Sequence, residues 1–347
     1  MLSPETPLAL YMEGALGERV GKMGYGVLRY SPNPVSCIVD SRYAGSNLSE
    51  VFPTFQPVFR SPIPIVGDVK EAWDLGARTL VLGIAPGGGR IPTEWLPALD
   101  ESVGLGMGLV NGLHERLAPR YPNTDGIWDL RQEPEGLQPG QGLARELTNT
   151  RILMVGTDMA VGKMTAGLEI LRMAKKQGLQ TSFVATGQIG IVICGSGVPL
   201  DAIRVDYASG AIEREVLAHK SSEWVIIEGQ GALNHPGSTS PLPLLRGSCP
   251  THLVLCCRAG QTSLYRMSEI IIPPLSELMR LYSDLSSACG TFPRAEVAAI
   301  AVNTAHIESD DEARSAVAHI ERETGRPASD PVRFGAAPLV QGIQDAS

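Results

Sequence analysis

The chain has 347 residues, 43% of them apolar, with 38 glycines and 26 prolines; this is the make-up of a soluble α/β protein of about two domains with many tight turns. The formal charge is −8, acids and bases are interspersed and no basic run occurs, so nucleic acid is not an expected partner, although a local anion pocket is still allowed. Six cysteines (Cys37, Cys194, Cys249, Cys256, Cys257 and Cys289) show no metal-ligand spacing, the start MLSPETPLAL has no signal-peptide pattern, and no apolar run is long enough to span a bilayer. The expectations are therefore reduced core thiols, no metal, no membrane and a cytoplasmic setting.

In chain order, residues 8–12 (LALYM) predict a first strand, with a helix following to about residue 28. Residues 35–39 (VSCIV) predict a second strand ending in Asp40, and residues 68–76 a short helix stopped by glycine. A third strand is expected over 79–85. It runs into Pro86-Gly87-Gly88-Gly89-Arg90 and then a helix opened by Pro92-Thr93-Glu94. A fourth strand is expected over 106–110. Alternating strands and helices predict a parallel, Rossmann-like sheet. Asp40 reads either as a ribose ligand or as a turn residue, and GALGERVGKMG matches G-x-G-x-x-G poorly. Gly87–Gly89 reads either as a phosphate loop or as a turn. Glycines and prolines crowd residues 120–149, which reads as an interdomain connection or as an exposed loop packed on the second domain. The expected division is 1–140, Rossmann-like with linker, and 141–347, a P-loop NTPase-like domain.

The second part opens on RILMVGTDMAVGKMT. Residues 152–155 predict a buried strand, Gly156 to Lys163 a glycine-bounded loop, and AGLEILRMAKK a helix with Leu168, Leu171, Met173 and Ala174 on one side. Strand, loop and a helix opening on lysine make the P-loop arrangement. Loop amides and the helix N-terminus direct N–H dipoles at one point, and Lys163 adds a full charge. Two features depart from the usual pattern. Five residues separate Gly156 from Gly162, and Met164 stands where a magnesium-binding hydroxyl is usual. Thr165 comes one residue later, about 100° round the helix. The loop therefore predicts a diphosphate site better than a magnesium-triphosphate site. Further strands are expected over 181–186, 224–227, 253–257 and 297–302, with a helix over 206–219. A helical segment interrupted at Pro273-Pro274 is expected after residue 257, and a capping box at Ser309 to Glu312 opens another helix.

Ligands of such sheets sit at the carboxyl ends of the strands. The residues there are Gly156, Thr157, Asp158, Val161, Gly162, Lys163, Met164 and Thr165; Gln188; Glu228, Gly229, Gln230 and Gly231; Arg258; and Asn303. Glu228 reads as a base or outer cation ligand, or as a turn cap. Asp158 reads as a loop cap or as a substrate-facing acid. His235 is a second candidate base. Arg246 and Arg258 are candidate carboxylate clamps, because a guanidinium fork matches a carboxylate. Asn303 is a candidate reader of an adenine edge, or the start of an Asx turn.

GTDMAVGK and IIEGQGAL together resemble dethiobiotin synthetase. Over the whole chain, GTDMAVGKMTA, ATGQIGI, VDYASGAIE and IEGQGAL-NHP resemble a bacterial family that pairs a Rossmann-like domain with a P-loop domain. Its characterised members are D-glutamate N-acetyltransferases. The resemblance implies acetyl transfer from acetyl-CoA to the amine of D-glutamate, in D-amino-acid catabolism. On that reading the P-loop and Lys163 hold the CoA phosphates, Glu228 or His235 takes the proton, and amides near Gly229 to Gly231 stabilise the oxyanion. Two other readings stand beside it: an ATP- and Mg-dependent ligase of the dethiobiotin-synthetase type, and a non-catalytic nucleotide-binding protein. A small-molecule substrate and a homo-oligomer complete the expectations.

Overall fold

A computed structural model describes residues 2–53, 55 and 62–346, and the chain divides into two compact units. The first holds the residues up to Gln132 and takes back Gln188–Ala202; the second holds Glu133–Gly187 and Ile203–Ser347.

In the first unit β1 (Leu8–Tyr11) leads to α1 (Lys22–Tyr30), β2 (Val35–Val39), the short α2 (Leu48–Val51) and β3 (Ile65–Val66). Next come α3 (Val69–Asp74), β4 (Thr79–Leu82), α4 (Leu96–Gly104), β5 (Gly108–Asn111) and β6 (Ile127–Asp129). The order β3-β2-β1-β4-β5-β6 is that of a Rossmann sheet, and every pairing is parallel. β1 is central, buried along its whole length, with Leu10 opposite Ile38 on one side and Val81 on the other. Apolar residues at every position, not alternate ones, suit a strand covered on both faces.

Three local features bear on the sequence reading. β6 lies inside the stretch expected to be a connection or a packed loop, where it completes the sheet. The Asp129 carboxylate holds it there, accepting from Asn111 Nδ2 at 2.7 Å and from the amides of Leu117 and Ala118. Asp40 is not available to a ribose. It is fully buried, and its oxygens accept from the Leu16 amide and from the Arg42 backbone and guanidinium, which leaves the turn reading. The glycine turn Gly87–Gly89 bends the chain so that Gly89 O accepts from the His114 and Glu115 amides.

In the second unit β7 (Thr150–Gly156), α5 (Lys163–Lys176) and β8 (Thr181–Val184) come first. α6 (Gln188–Cys194) follows and belongs to the first unit, where it packs on α1. Then come α7 (Val205–Ala218), β9 (Trp224–Ile227), α8 (Pro241–Ser248) and β10 (His252–Arg258). β11 (Ser263–Leu264) and β12 (Met267–Ile271) form a small antiparallel hairpin, where a helical segment had been expected. α9 (Leu275–Ser287), β13 (Glu296–Asn303), α10 (Asp310–Thr324), β14 (Ala328–Ser329) and α11 (Ala337–Asp345) close the chain. The sheet order is β14-β13-β10-β7-β9-β8, again all parallel. Both units are thus α/β with parallel sheets of six strands, the second a P-loop fold. No helix among the described residues is long and apolar enough to cross a membrane.

Two details position the loop after β7. Arg151 is buried, and its guanidinium donates to the carbonyls of Leu147, Asn149, Ser248 and Cys249. It ties the start of β7 to the end of α8 without a carboxylate. α5 begins at Lys163, as the P-loop arrangement requires, ahead of the run AGLEILRMAKK. It buries Ala166, Gly167, Leu168, Ile170 and Ala174, so the inner stripe runs through Ile170 in place of Leu171 and Met173.

Candidate active site

β7 delivers Gly156 to the carboxyl edge of the second sheet, and the loop 157–162 wraps from there into α5. Gly162 sits at φ +108 and caps the helix. The first helical bond runs from Ala166 N–H to Gly162 O, so the amides of Lys163, Met164 and Thr165 precede it, as first-turn donors of a helix do. Together with Lys163 they form the kind of cradle that suits a phosphate. A Cβ on Gly156 would stand 2.9 Å from Lys163 Nζ; glycine there is what lets the lysine fold back over the strand end. Met164 occupies the second helical position and Thr165 the third.

Lys163 is buried, and its Nζ donates to Asp158 O at 2.9 Å. Burial pushes its pKa down to about 8, against the opposing pull of Cys256, Asp158 and Glu228. Glu228 follows β9 and is also buried. Its Oε2 accepts from the amides of Thr186, at 2.8 Å, and Gly187, at 3.1 Å. Burial outweighs these bonds and the nearby Lys163, so the carboxyl is pushed up to about 7. Gly229 then passes over β7 so closely that a Cβ would lie 1.7 Å from Met154 O. Gly231, at φ +67, leaves no room beside Ser238 Oγ, which accepts from the Ala232 amide. Gln230 reaches sideways, its Nε2 donating to Thr186 Oγ1.

The loop after Glu228 is pinned to the P-loop. Tyr282 Oη donates to Gly156 O at 2.9 Å and accepts from the Leu233 amide, and Asn234 Nδ2 donates to Thr157 O. His235 is thereby carried to Asp158, with Nε2 4.0 Å from Asp158 Oδ1. Its Nδ1 accepts from the Gly237 amide, so the neutral ring carries its proton on Nε2 and has no spare lone pair.

Asp158 is caged. It accepts from the Met159 amide at 2.6 Å, and from Gln261 Nε2 and the Tyr265 amide at 2.7 Å each. Of its two expected roles, this is the loop cap. Asn303, at the end of β13, lies beside the loop: Nδ2 donates to Val161 O at 3.4 Å and Oδ1 accepts from the Ala305 amide. Arg258 ends β10 opposite Asn303.

Arg246 on α8 donates to Leu285 O and lies over the Phe292 ring, 4.9 Å from its centroid, so its guanidinium is engaged with the end of α9. Gln188 opens α6 and directly follows Gly187, whose amide donates to Glu228 Oε2. Sequence reading missed Gln261, Tyr265 and Tyr282. A Gln or Tyr outside any motif carries no signal until the chain is folded.

The family model described as "Domain of unknown function (DUF1611_C) P-loop domain" matches residues 138–340, and "Domain of unknown function (DUF1611_N) Rossmann-like domain" matches residues 41–133. A protein of Pseudoalteromonas sp named D-glutamate N-acetyltransferase is 35% identical over 282 residues, 79% of this chain and 83% of its own. One of the same name from Tritonibacter scottomollicae is 31% identical over 347 residues, 98% of each chain. The crystal structure of a DUF1611 family protein from Anabaena variabilis matches with a TM-score of 0.90 at 42% identity, covering 98% of this chain and 100% of that one. With a Rossmann-like and a P-loop domain both matched, and relatives similar over nearly the whole length, this chain belongs to the DUF1611 family of proteins, which includes those named D-glutamate N-acetyltransferase.

Proposed function

We propose that this protein is an N-acetyltransferase that moves acetyl from acetyl-CoA to the amine of D-glutamate, in the catabolism of that amino acid. The observation that carries the reading is the end-to-end similarity to two proteins of that name. The loop chemistry supports it. A coenzyme A tail offers a diphosphate to the first-turn amides of α5 and to Lys163. It needs no magnesium hydroxyl ligand at position 164, where a methionine stands.

The step needs one base and no enzyme nucleophile. The acceptor ammonium gives up a proton, its nitrogen attacks the thioester carbonyl, the C–N bond forms, and the C–S bond breaks. Coenzyme A leaves with the sulfur electron pair, and the second proton that the nitrogen sheds makes it the thiol. Glu228 is the better base of the two candidates, because a carboxyl near neutrality can accept a proton at working pH, while the one lone pair of the neutral His235 ring, on Nδ1, already accepts from the Gly237 amide. His235 Nε2–H and the amides of Gly229 to Gly231 are the donors nearest to hand for a developing oxyanion. Asn303, whose Oδ1 already accepts from the Ala305 amide as in an Asx turn, is a candidate adenine reader, and Arg258 and Arg246 are candidate carboxylate clamps.

The test supplies acetyl-CoA and D-glutamate with EDTA and follows free thiol. Thiol release that needs D-glutamate and persists in EDTA supports the reading. ADP release from ATP and Mg with a carboxylic acid, without thiol release, would replace it by the ligase reading.

A further inference from the structure

The hairpin of β11 and β12 stands outside the six-stranded sheet, and a two-stranded ribbon alone holds its shape poorly in water. Here it is bolted to the phosphate loop. Asp158, almost wholly buried, binds the hairpin through Gln261 Nε2 and the Tyr265 amide, and binds its own loop through the Met159 amide. One carboxylate thus fixes the backbone of two residues whose large apolar side chains both face solvent, Met159 at 38% and Tyr265 at 47% exposed.

Neither side chain is placed at random. The Met159 methyl lies 3.9 Å from where a Cβ on Gly237 would stand, next to the His235 ring. Arg266, held at φ +65 at the hairpin tip, lies over the Tyr265 ring with Cζ 5.3 Å from the centroid. Solvent-facing apolar groups held by a buried charge, at the rim of an anion cradle, suit a ligand with an apolar part next to its phosphates.

We propose that Met159 and Tyr265 grip the pantetheine arm of the acyl donor, so that this hairpin distinguishes a coenzyme A thioester from a bare nucleoside diphosphate. The inference rests on the acyl-donor reading above. Asn303 lies on the other flank of the loop, beside Val161. With adenine at Asn303 and the diphosphate over the α5 N-terminus, the arm leaves toward Asp158, Met159 and His235. Asp158 acts here as a positioning residue: it touches no reacting atom and sets where the two grips stand.

The test is calorimetric titration of the full chain with coenzyme A and with ADP, which shares the adenine and diphosphate but lacks the arm. The unaltered protein should bind coenzyme A more tightly than ADP. Tyr265→Ala should weaken coenzyme A by about tenfold, the worth of a ring packed on an aliphatic chain, and leave ADP within about twofold. Tyr265→Phe keeps the ring and should behave as the unaltered protein. If Tyr265→Ala weakens both ligands equally, or leaves coenzyme A untouched, the inference is overturned while the donor reading stands. If the unaltered protein binds neither ligand, the donor reading falls, and this inference with it.

Discussion

Glu228→Gln separates the electrostatics of the site from its shape. The glutamate side chain is buried, and its Oε2 accepts two amide N–H groups; a glutamine oxygen can accept both in the same place. What changes is ionisation. The carboxyl moves from an ordinary 4.5 to about 7, a rise of about 2.5, or roughly 3–4 kcal/mol at about 1.4 kcal/mol per unit. The sign follows from linkage. Between pH 4.5 and 7 the folded chain binds more protons than the unfolded one. The favourable share is therefore complete below 4.5 and is lost as pH rises through 7. At pH 8 the native state carries a strained charge that glutamine removes. The bonds to Thr186 and Gly187 are already part of that shift, which they lower. The gain is therefore about 3–4 kcal/mol, which for a unit of this size is about 7–14 °C in Tm. Thermal unfolding at pH 5 and pH 8 is the assay. The variant should be more stable at pH 8, with the difference closing toward pH 5. A difference of one size at both pH values, or a less stable variant at pH 8, would refute the argument that burial dominates this carboxyl.

Lys163→Ala should raise the Kd for coenzyme A by about a hundredfold, as loss of a buried charge to phosphate does; unchanged affinity in calorimetry would remove the P-loop from the donor site. Gly229→Ala puts a methyl 1.7 Å from Met154 O and should cost about 3 kcal/mol or leave the protein insoluble, whereas Gly104→Ala, with nothing within 4 Å, should keep the native Tm. Arg246→Ala should lower stability by about 1–2 kcal/mol through the Leu285 bond and the Phe292 contact, yet leave the KM for the acceptor unchanged where Arg258 is the clamp; a raised KM would assign that role to Arg246. The pH profile of kcat/KM should be bell-shaped, rising as Glu228 ionises near 7 and falling as Lys163 loses its proton near 8. Glu228→Gln should lower the plateau by about 10² or more and abolish the acid limb.

Much of both sheets was legible because their strands are short, buried and apolar at every position, as in 152–155, 224–227 and 80–82. Strands held by polar contacts were not. β6 reads IWD, and only the bonds from Asn111, Leu117 and Ala118 to Asp129 give it a reason to pair. The two-residue β3 and β14 carry no period at all. Segment 133–149 read either as a linker or as a loop packed on the second domain, and the glycine that lets it pack is on the other side. Gly210 of α7 leaves no room for a Cβ beside Gln138 O, and Glu213 accepts from the Gln141 and Leu143 amides. The hairpin after β10 was misread because SLYRMSEII suits a helix by composition. Its turn depends on Arg266 taking a left-handed conformation that no local signal demands.

The site was legible where chemistry requires a residue type in a fixed loop, at Gly156, Gly162, Lys163, Glu228 and Gly229, and illegible where a side chain only holds another in place. Asp158 shows the difference. From the motif alone it was equally a substrate-facing acid and a cap, and the partners that decide the matter, Gln261 and Tyr265, are over a hundred residues away. Once they are in place, the geometry has a consequence for binding. Lys163 and Glu228 are both buried with pKa values displaced toward their neutral forms. A polyanion at the amides of α5 would favour the charged lysine and the protonated glutamate together. Ligand capture and proton uptake are then one event, and the acid so loaded must be discharged before it can take a proton from an amine. The bound diphosphate therefore moves the acid limb of transfer to higher pH, because Glu228 must ionise beside it before it can act as the base.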